Sequence, residues 1–172
     1  VEEIKEALRA VGDYAREHNH RLSFHPGQFN CMASPTEKVV YNSVKDLEIH
    51  GKIMDFIGAP RTREAKINIH IGGAYGDREA AMERFCKNIQ LLSPAVLSRL
   101  TVENDDKPNC YSTLMLYKGI FERTGIPIVF DSHHFSLGPQ DQGYEEAIKM
   151  AASTWGTVRP VCHHSNSRKK YE

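Results

Sequence analysis

The chain has 172 residues, 40% hydrophobic and 26% charged, with Lys+Arg and Asp+Glu equal at 22 each. That length allows a sizeable core, and the balance is that of an ordinary globular domain. Zero net charge removes any bulk attraction to nucleic acid, so a local basic patch or bound cations would have to supply it.

In chain order, residues 1–19 carry Ile4, Ala7, Leu8, Val11 and Ala15 at helical spacing. RLSFH (21–25) reads as a strand, followed by a loop through Pro26 and Gly27. A helix is expected to start at Ser34-Pro35-Thr36-Glu37 and to stop at Gly58 and Pro60. KINIHI (66–71) is a strand, GGAYGD (72–77) a glycine-rich loop and REAAMERFCKNIQLL (78–92) an amphipathic helix. LTVEN (100–104) is the third strand, and YSTLMLYKGIFERTG (111–125) a helix closed by Gly125. IPIVFD (126–131), the helix YEEAIKMAASTW (144–155) and the strand VRPVCH (158–163) complete the series.

Strict alternation of strand and helix implies a parallel sheet covered by helices, in one domain over residues 1–172. No apolar run approaches the roughly 18 residues of a membrane span. No basic-then-apolar leader is visible. Cys31, Cys86, Cys110 and Cys162 are dispersed and form no CxxC pair, which favours an intracellular, reducing location. GxSxG, P-loop and GxGxxG signatures are missing, so serine hydrolase, phosphate-loop and dinucleotide readings lack their minimal motifs.

The ends of the predicted strands are the informative positions. His25, His70, Glu103, Asp131 and His163 each stand where a short apolar run gives way to loop, with His134 three residues after Asp131. One unit of an eight-fold (β/α)8 TIM barrel takes about 30 residues, which approximates this spacing. A barrel gathers the C-terminal ends of its strands on one face, so a cluster of carboxylate and imidazole there reads as a metal site. Five β/α units cannot close an eight-stranded barrel, and the expectation is an incomplete piece, internal to a longer protein. A doubly wound open sheet also fits five strands, but would not place a ligand on every one.

Each residue has a plainer reading. Asp131 can simply cap a helix or turn start, with a histidine that happens to follow; within the metal reading, His133 is an alternative ligand to His134. Glu103 precedes the polar run Asn104-Asp105-Asp106-Lys107 and reads equally as a solvated loop carboxylate. A lone strand-end histidine is more often structural than a ligand. Repetition at consecutive strand ends is what favours metal. His18, His20 and His50 read as surface or packing residues, and His164 should point away from His163.

HPGQF (25–29), INIHIGGAYGD (67–77), LTVENDD (100–106), IPIVFDSHH (126–134) and HHSNS (163–167) resemble, in order and spacing, the UV damage endonucleases. The resemblance implies a TIM barrel carrying up to three divalent metal ions. Manganese is the expected ion, and zinc or iron is also compatible with the donor set. It also implies nicking of damaged double-stranded DNA on the 5′ side of a lesion, by a monomer, to start excision repair. By the same resemblance, His25, His70 and Glu103 hold one metal and form the catalytic set. Glu103 bridges to a second metal held by Asp131 and His163, and His134 serves a third. Gln28 and Phe29 take the place of residues inserted into the duplex at the lesion, Phe29 standing where many members have tyrosine. Lys107, Arg168, Lys169 and Lys170 are candidates for DNA-backbone contacts. Val161 stands where some members have lysine, so that lysine's role has no counterpart here. The remaining ligands are expected beyond Glu172 and the first strands before Val1, so the fragment alone is not expected to be a competent enzyme. The alternatives are an abasic-site endonuclease of the zinc type, a metal-dependent sugar isomerase barrel, and a metal-binding fragment without activity.

Overall fold

Along the strand segments, apolar residues alternate with polar ones: Ile67, Ile69 and Ile71 with Asn68 and His70, Leu100 and Val102 with Thr101 and Glu103. Alternate side chains of a strand face opposite sides, so one face packs on helices while the other carries polar groups. In the computed structural model, which describes residues 2–166, these segments form strands β1 (Ile67–Ile69), β2 (Leu100–Glu103), β3 (Ile128–Asp131) and β4 (Cys162–His163). All neighbours are parallel, in the order β1-β2-β3-β4. The result is a curled parallel sheet, part of a barrel, with helices on its apolar face.

The helices are α1 (Glu2–Glu17), α2 (Glu37–Ile57), α3 (Arg78–Asn88), α4 (Pro94–Leu97), α5 (Thr113–Leu116), α6 (Glu122–Thr124), α7 (Ser132–Leu137) and α8 (Tyr144–Ser153). Leu47, Phe85, Ile89, Val96, Leu116, Ile120 and Ala147 bring their helices onto Ile67, Ile69, Leu100, Val102, Ile128 and Phe130 in one core. At the base of the sheet, fully buried Arg99 donates to Asp55 and to the carbonyls of Ala59, Pro60 and Ala95, tying β2 to the end of α2. Among the described residues, no helix is long and apolar enough to cross a membrane.

The structure departs from the expected elements in four places. RLSFH makes one parallel bridge, Phe24 to Ile67, instead of a full strand. Its one neighbour is β1, and Pro26 has no N–H to extend the pairing. The last strand shrinks to Cys162–His163, because Pro160 likewise interrupts VRPVCH. The 111–125 helix contains a π turn at Tyr117–Phe121 before Gly125 closes it in the left-handed conformation. Two short helices, α4 and α7, occupy stretches that showed no periodic pattern.

Candidate metal centre

Each strand delivers a polar side chain to the same end of the sheet. Pairing of Asp131 with His163 across β3 and β4 sets those two residues side by side. Glu103, at the end of β2, lies at the middle of the cluster and is 1% exposed. Its Oε2 is 3.0 Å from His25 Nε2 and accepts a short hydrogen bond from Asn68 Nδ2. Its Oε1 is 3.1 Å from His163 Nδ1 and 3.4 Å from His134 Nδ1. The rings of His25 and His163 stack with centroids 5.6 Å apart, and His70 lies 5.8 Å from His25 and 5.3 Å from His134. His25, His70, Glu103, Asp131, His134 and His163 are therefore all brought to one place.

Asp131 caps a helix and also faces the cluster. Oδ1 accepts from the backbone N–H groups of His133 and His134 and so caps α7. Oδ2 faces His163 Nδ1 at 3.9 Å. In the turn that this cap starts, His134 is the histidine that faces Glu103. His134 Nδ1 lies 3.0 Å from the carbonyl of Asn104, an acceptor that assigns the proton to Nδ1 and leaves Nε2 with its lone pair. Asn104 in turn pairs with Asp131 through both its amide nitrogen and its oxygen. The ENDD run is thus no solvated loop at its start: Asn104 and Asp105 are buried along with Glu103. His164 points elsewhere, to Ser132 Oγ at 2.8 Å.

The electrostatics centre on Glu103. Burial pushes its carboxyl upward, but hydrogen bonding with His163 and His25 and the fields of His163 and His70 outweigh this and hold it well below the usual range. Reciprocally, the hydrogen bond to Glu103 raises the pKa of His25 against the cost of burial. Burial would lower His70, yet the Asp105 carboxylate 3.1 Å away more than offsets it and the pKa rises.

The residues fit divalent cations. His25, His70 and Glu103 present ligand atoms within 4.8 Å of one another, and so do Glu103, Asp131 and His134, with Glu103 common to both groups. Asp105 Oδ2 and His70 Nδ1 are buried without a formed hydrogen bond. Imidazole and carboxylate without thiolate suits manganese, zinc or iron.

Beside the cluster, the turn after His25 is closed by Asn30 N–H to the Gly27 carbonyl, and it leaves Gln28 and Phe29 outward, with Phe29 83% exposed. Arg168, Lys169 and Lys170 lie outside the described residues; Lys107 is exposed. Asn68, Thr101 and Asp105 are part of the network, although none was singled out as a candidate within its motif. The alternation of β1 and β2 was the available signal, since Asn68 and Thr101 sit two residues before His70 and Glu103, on the same faces.

The sequence matches the UV-endonuclease UvdE family over residues 1–171. A UV DNA damage endonuclease of Bacillus cereus (strain G9842) is 38% identical over 95% of the chain, and one of Bacillus velezensis 34% over 99%. The chain spans about half the length of these curated relatives, 51% and 52%. The crystal structure of SacUVDE superposes with a TM-score of 0.87 at 32% identity, covering 96% of this chain and 55% of that one. A D-psicose 3-epimerase from Clostridium cellulolyticum H10, solved with D-tagatose, reaches 0.68 at 12% identity, a likeness of fold alone.

Proposed function

We propose, from the premise that this chain belongs to the UV-endonuclease UvdE family, that it carries most of the metal centre of a DNA-repair endonuclease. The reaction is hydrolysis of a phosphodiester on the 5′ side of a lesion in double-stranded DNA, opening excision repair. Residues 1–172 belong to a single domain as part of its barrel, and the full-length protein acts as an intracellular monomer. The observation that carries this reading is the gathering of imidazoles and carboxylates from successive strand ends around the buried carboxylate of Glu103.

His25, His70 and Glu103 would hold one divalent ion, Glu103 with Asp131 and His163 a second, and His134 a third in the full-length protein, manganese being the favoured ion. Such ions supply Lewis acidity at a phosphate and a lowered pKa for bound water. The chain's own contribution is to fix the donors. Glu103 stays ionised because the surrounding imidazoles outweigh burial. Asp131 caps α7, on which His134 faces Glu103. Gln28 and Phe29 present an outward wedge that stabilises an unstacked, kinked duplex, and damaged steps cost least to unstack.

Full-length protein nicking a UV-irradiated duplex in the presence of Mn²⁺ tests the reading, with an abasic duplex run alongside. Glu103→Gln keeps the shape and removes the charge, and nicking should disappear. Undiminished nicking by that variant would overturn the role given to Glu103.

A further inference from the structure

Asn68 is fully buried on β1, and both ends of its side-chain amide are engaged. Nδ2 donates to Glu103 Oε2, and Oδ1 accepts from Thr101 Oγ1 at 2.8 Å. Asn68 and Thr101 are register partners across β1 and β2, so the three groups form a chain within the sheet's polar face. We propose that Asn68, oriented by Thr101, is a positioning residue that sets the plane and rotamer of the Glu103 carboxylate. The proposal rests on the metal-centre reading and assigns a role to two residues outside the ligand set.

The direction of the amide follows from the chemistry of its neighbours. Turned the other way, the Asn68 carbonyl would face a carboxylate oxygen, two acceptors with no proton between them. The Thr101 hydroxyl would then have to accept from the amide and give up its own donation to Oδ1. With Glu103 ionised, only the amide-toward-carboxylate orientation satisfies every group, and a charge-assisted hydrogen bond of this kind is about twice as strong as a neutral one.

The asymmetry of the bonds gives the device its use. Oε2 is pinned by Asn68 from the side of β1, while Oε1 is directed at His134 and His163. A carboxylate oxygen has more than one lone pair, so Oε2 can keep the amide and still serve as a ligand. Without Asn68, rotation about the last side-chain bond of Glu103 would be opposed by His25 alone on that side. The ligand atoms common to both groups would then lose their fixed placement.

The test is Mn²⁺ binding to metal-stripped full-length protein, measured by titration calorimetry with the spin-resonance spectrum of the bound ion as second readout. Asn68→Leu keeps the approximate shape and removes the donor. Thr101→Val keeps the shape and frees the amide to turn. Asn68→Leu should weaken Mn²⁺ binding by about ten-fold or more, the range for outer-shell partners of metal ligands. Thr101→Val should weaken it in the same direction by less, and both should alter the spectrum of whatever ion remains. A merely structural role would lower the melting temperature while leaving affinity and spectrum of the folded protein unchanged, and that result would overturn the inference. If Asn68→Leu does not fold, the Thr101→Val affinity decides alone. Failure of the unaltered protein to bind Mn²⁺ would overturn the metal-centre reading and the inference together; uptake indifferent to both substitutions would overturn only the inference.

Discussion

Asp105 places its Oδ1 3.1 Å from Nδ1 of His70, joining a buried loop carboxylate to a strand-end imidazole. The two atoms face each other without a formed hydrogen bond, so the carboxylate acts on the ring chiefly as a nearby charge. Replacing Asp105 with Asn removes the charge that offsets burial. The His70 pKa should then fall from above its ordinary value, read from its ring resonances in metal-free protein. Metal affinity should drop by about 10- to 100-fold. An unmoved His70 titration would show that Asp105 does not govern that ring.

This pairing also marks what was and was not legible in the sequence. His70 and Glu103 stood out because a titratable residue ended each apolar run and a glycine or loop followed. Asp105 looked like one more residue of a polar loop, since nothing local signals that Tyr111 folds back and accepts the Asp105 N–H. Asn68 and Thr101 were hidden for a different reason. Inside a barrel, a strand's second face is also buried, so its polar residues look like the solvent side of an ordinary sheet. Strand and helix alternation made the parallel sheet legible, whereas the barrel was legible from the spacing of titratable residues at successive strand ends, because alternation alone also fits an open doubly wound sheet. The short helix α7 was not, because its start is made by Asp131 capping two backbone N–H groups rather than by any apolar period.

Stability at acid pH should depend on Asp55. The hydrogen bond from Arg61 first, against burial, and then Arg99 hold its carboxyl below the usual value. A depressed carboxylate contributes stability above its unfolded pKa of about 3.9 and loses it as pH falls through the folded value. Urea unfolding of the metal-free protein should therefore weaken from about pH 4 downward, and Asp55→Asn should flatten that limb. Arg99→Met, which leaves Asp55 and three carbonyls without their buried donor, should cost about 3–5 kcal/mol. An acid limb unchanged in Asp55→Asn would rule the pair out as its source.

Gly138 ends α7 where backbone crosses backbone. A Cβ added there would overlap the carbonyl oxygen of Asp105 and stand 3.0 Å from that of His134. Neither atom can swing aside as a side-chain tip would, so Gly138→Ala must shift α7 or the loop holding Asp105. The expected loss is about 1–3 kcal/mol in unfolding free energy, together with weaker divalent-metal binding, because His134 rides on α7. Gly143→Ala is the control, since nothing lies within 4 Å of its added Cβ. Equal behaviour of the two variants in melting and metal titration would count against the crossing as a constraint.

Phe29 offers the cleanest separation of DNA recognition from fold and metal. Its ring is 83% exposed, and it lies four residues from His25 on a turn closed by Asn30 and Gly27. An aromatic side chain left in water contributes little to folding, so Phe29→Ala should change unfolding free energy by no more than about 0.5 kcal/mol. Mn²⁺ affinity should be unchanged, because Phe29 is exposed and offers no ligand atom. Binding of a lesion-bearing duplex by the full-length protein should weaken by about 1–3 kcal/mol, the range for a lost base-stacking surface. Phe29→Tyr should restore it, since the stacking face returns with only a hydroxyl added. The comparison with undamaged duplex decides the mechanism. A wedge acts where unstacking is cheapest, so Phe29→Ala should lose affinity for damaged DNA and little for intact DNA. Equal losses on both would make Phe29 a general DNA contact, and no loss on either would remove this turn from the recognition surface.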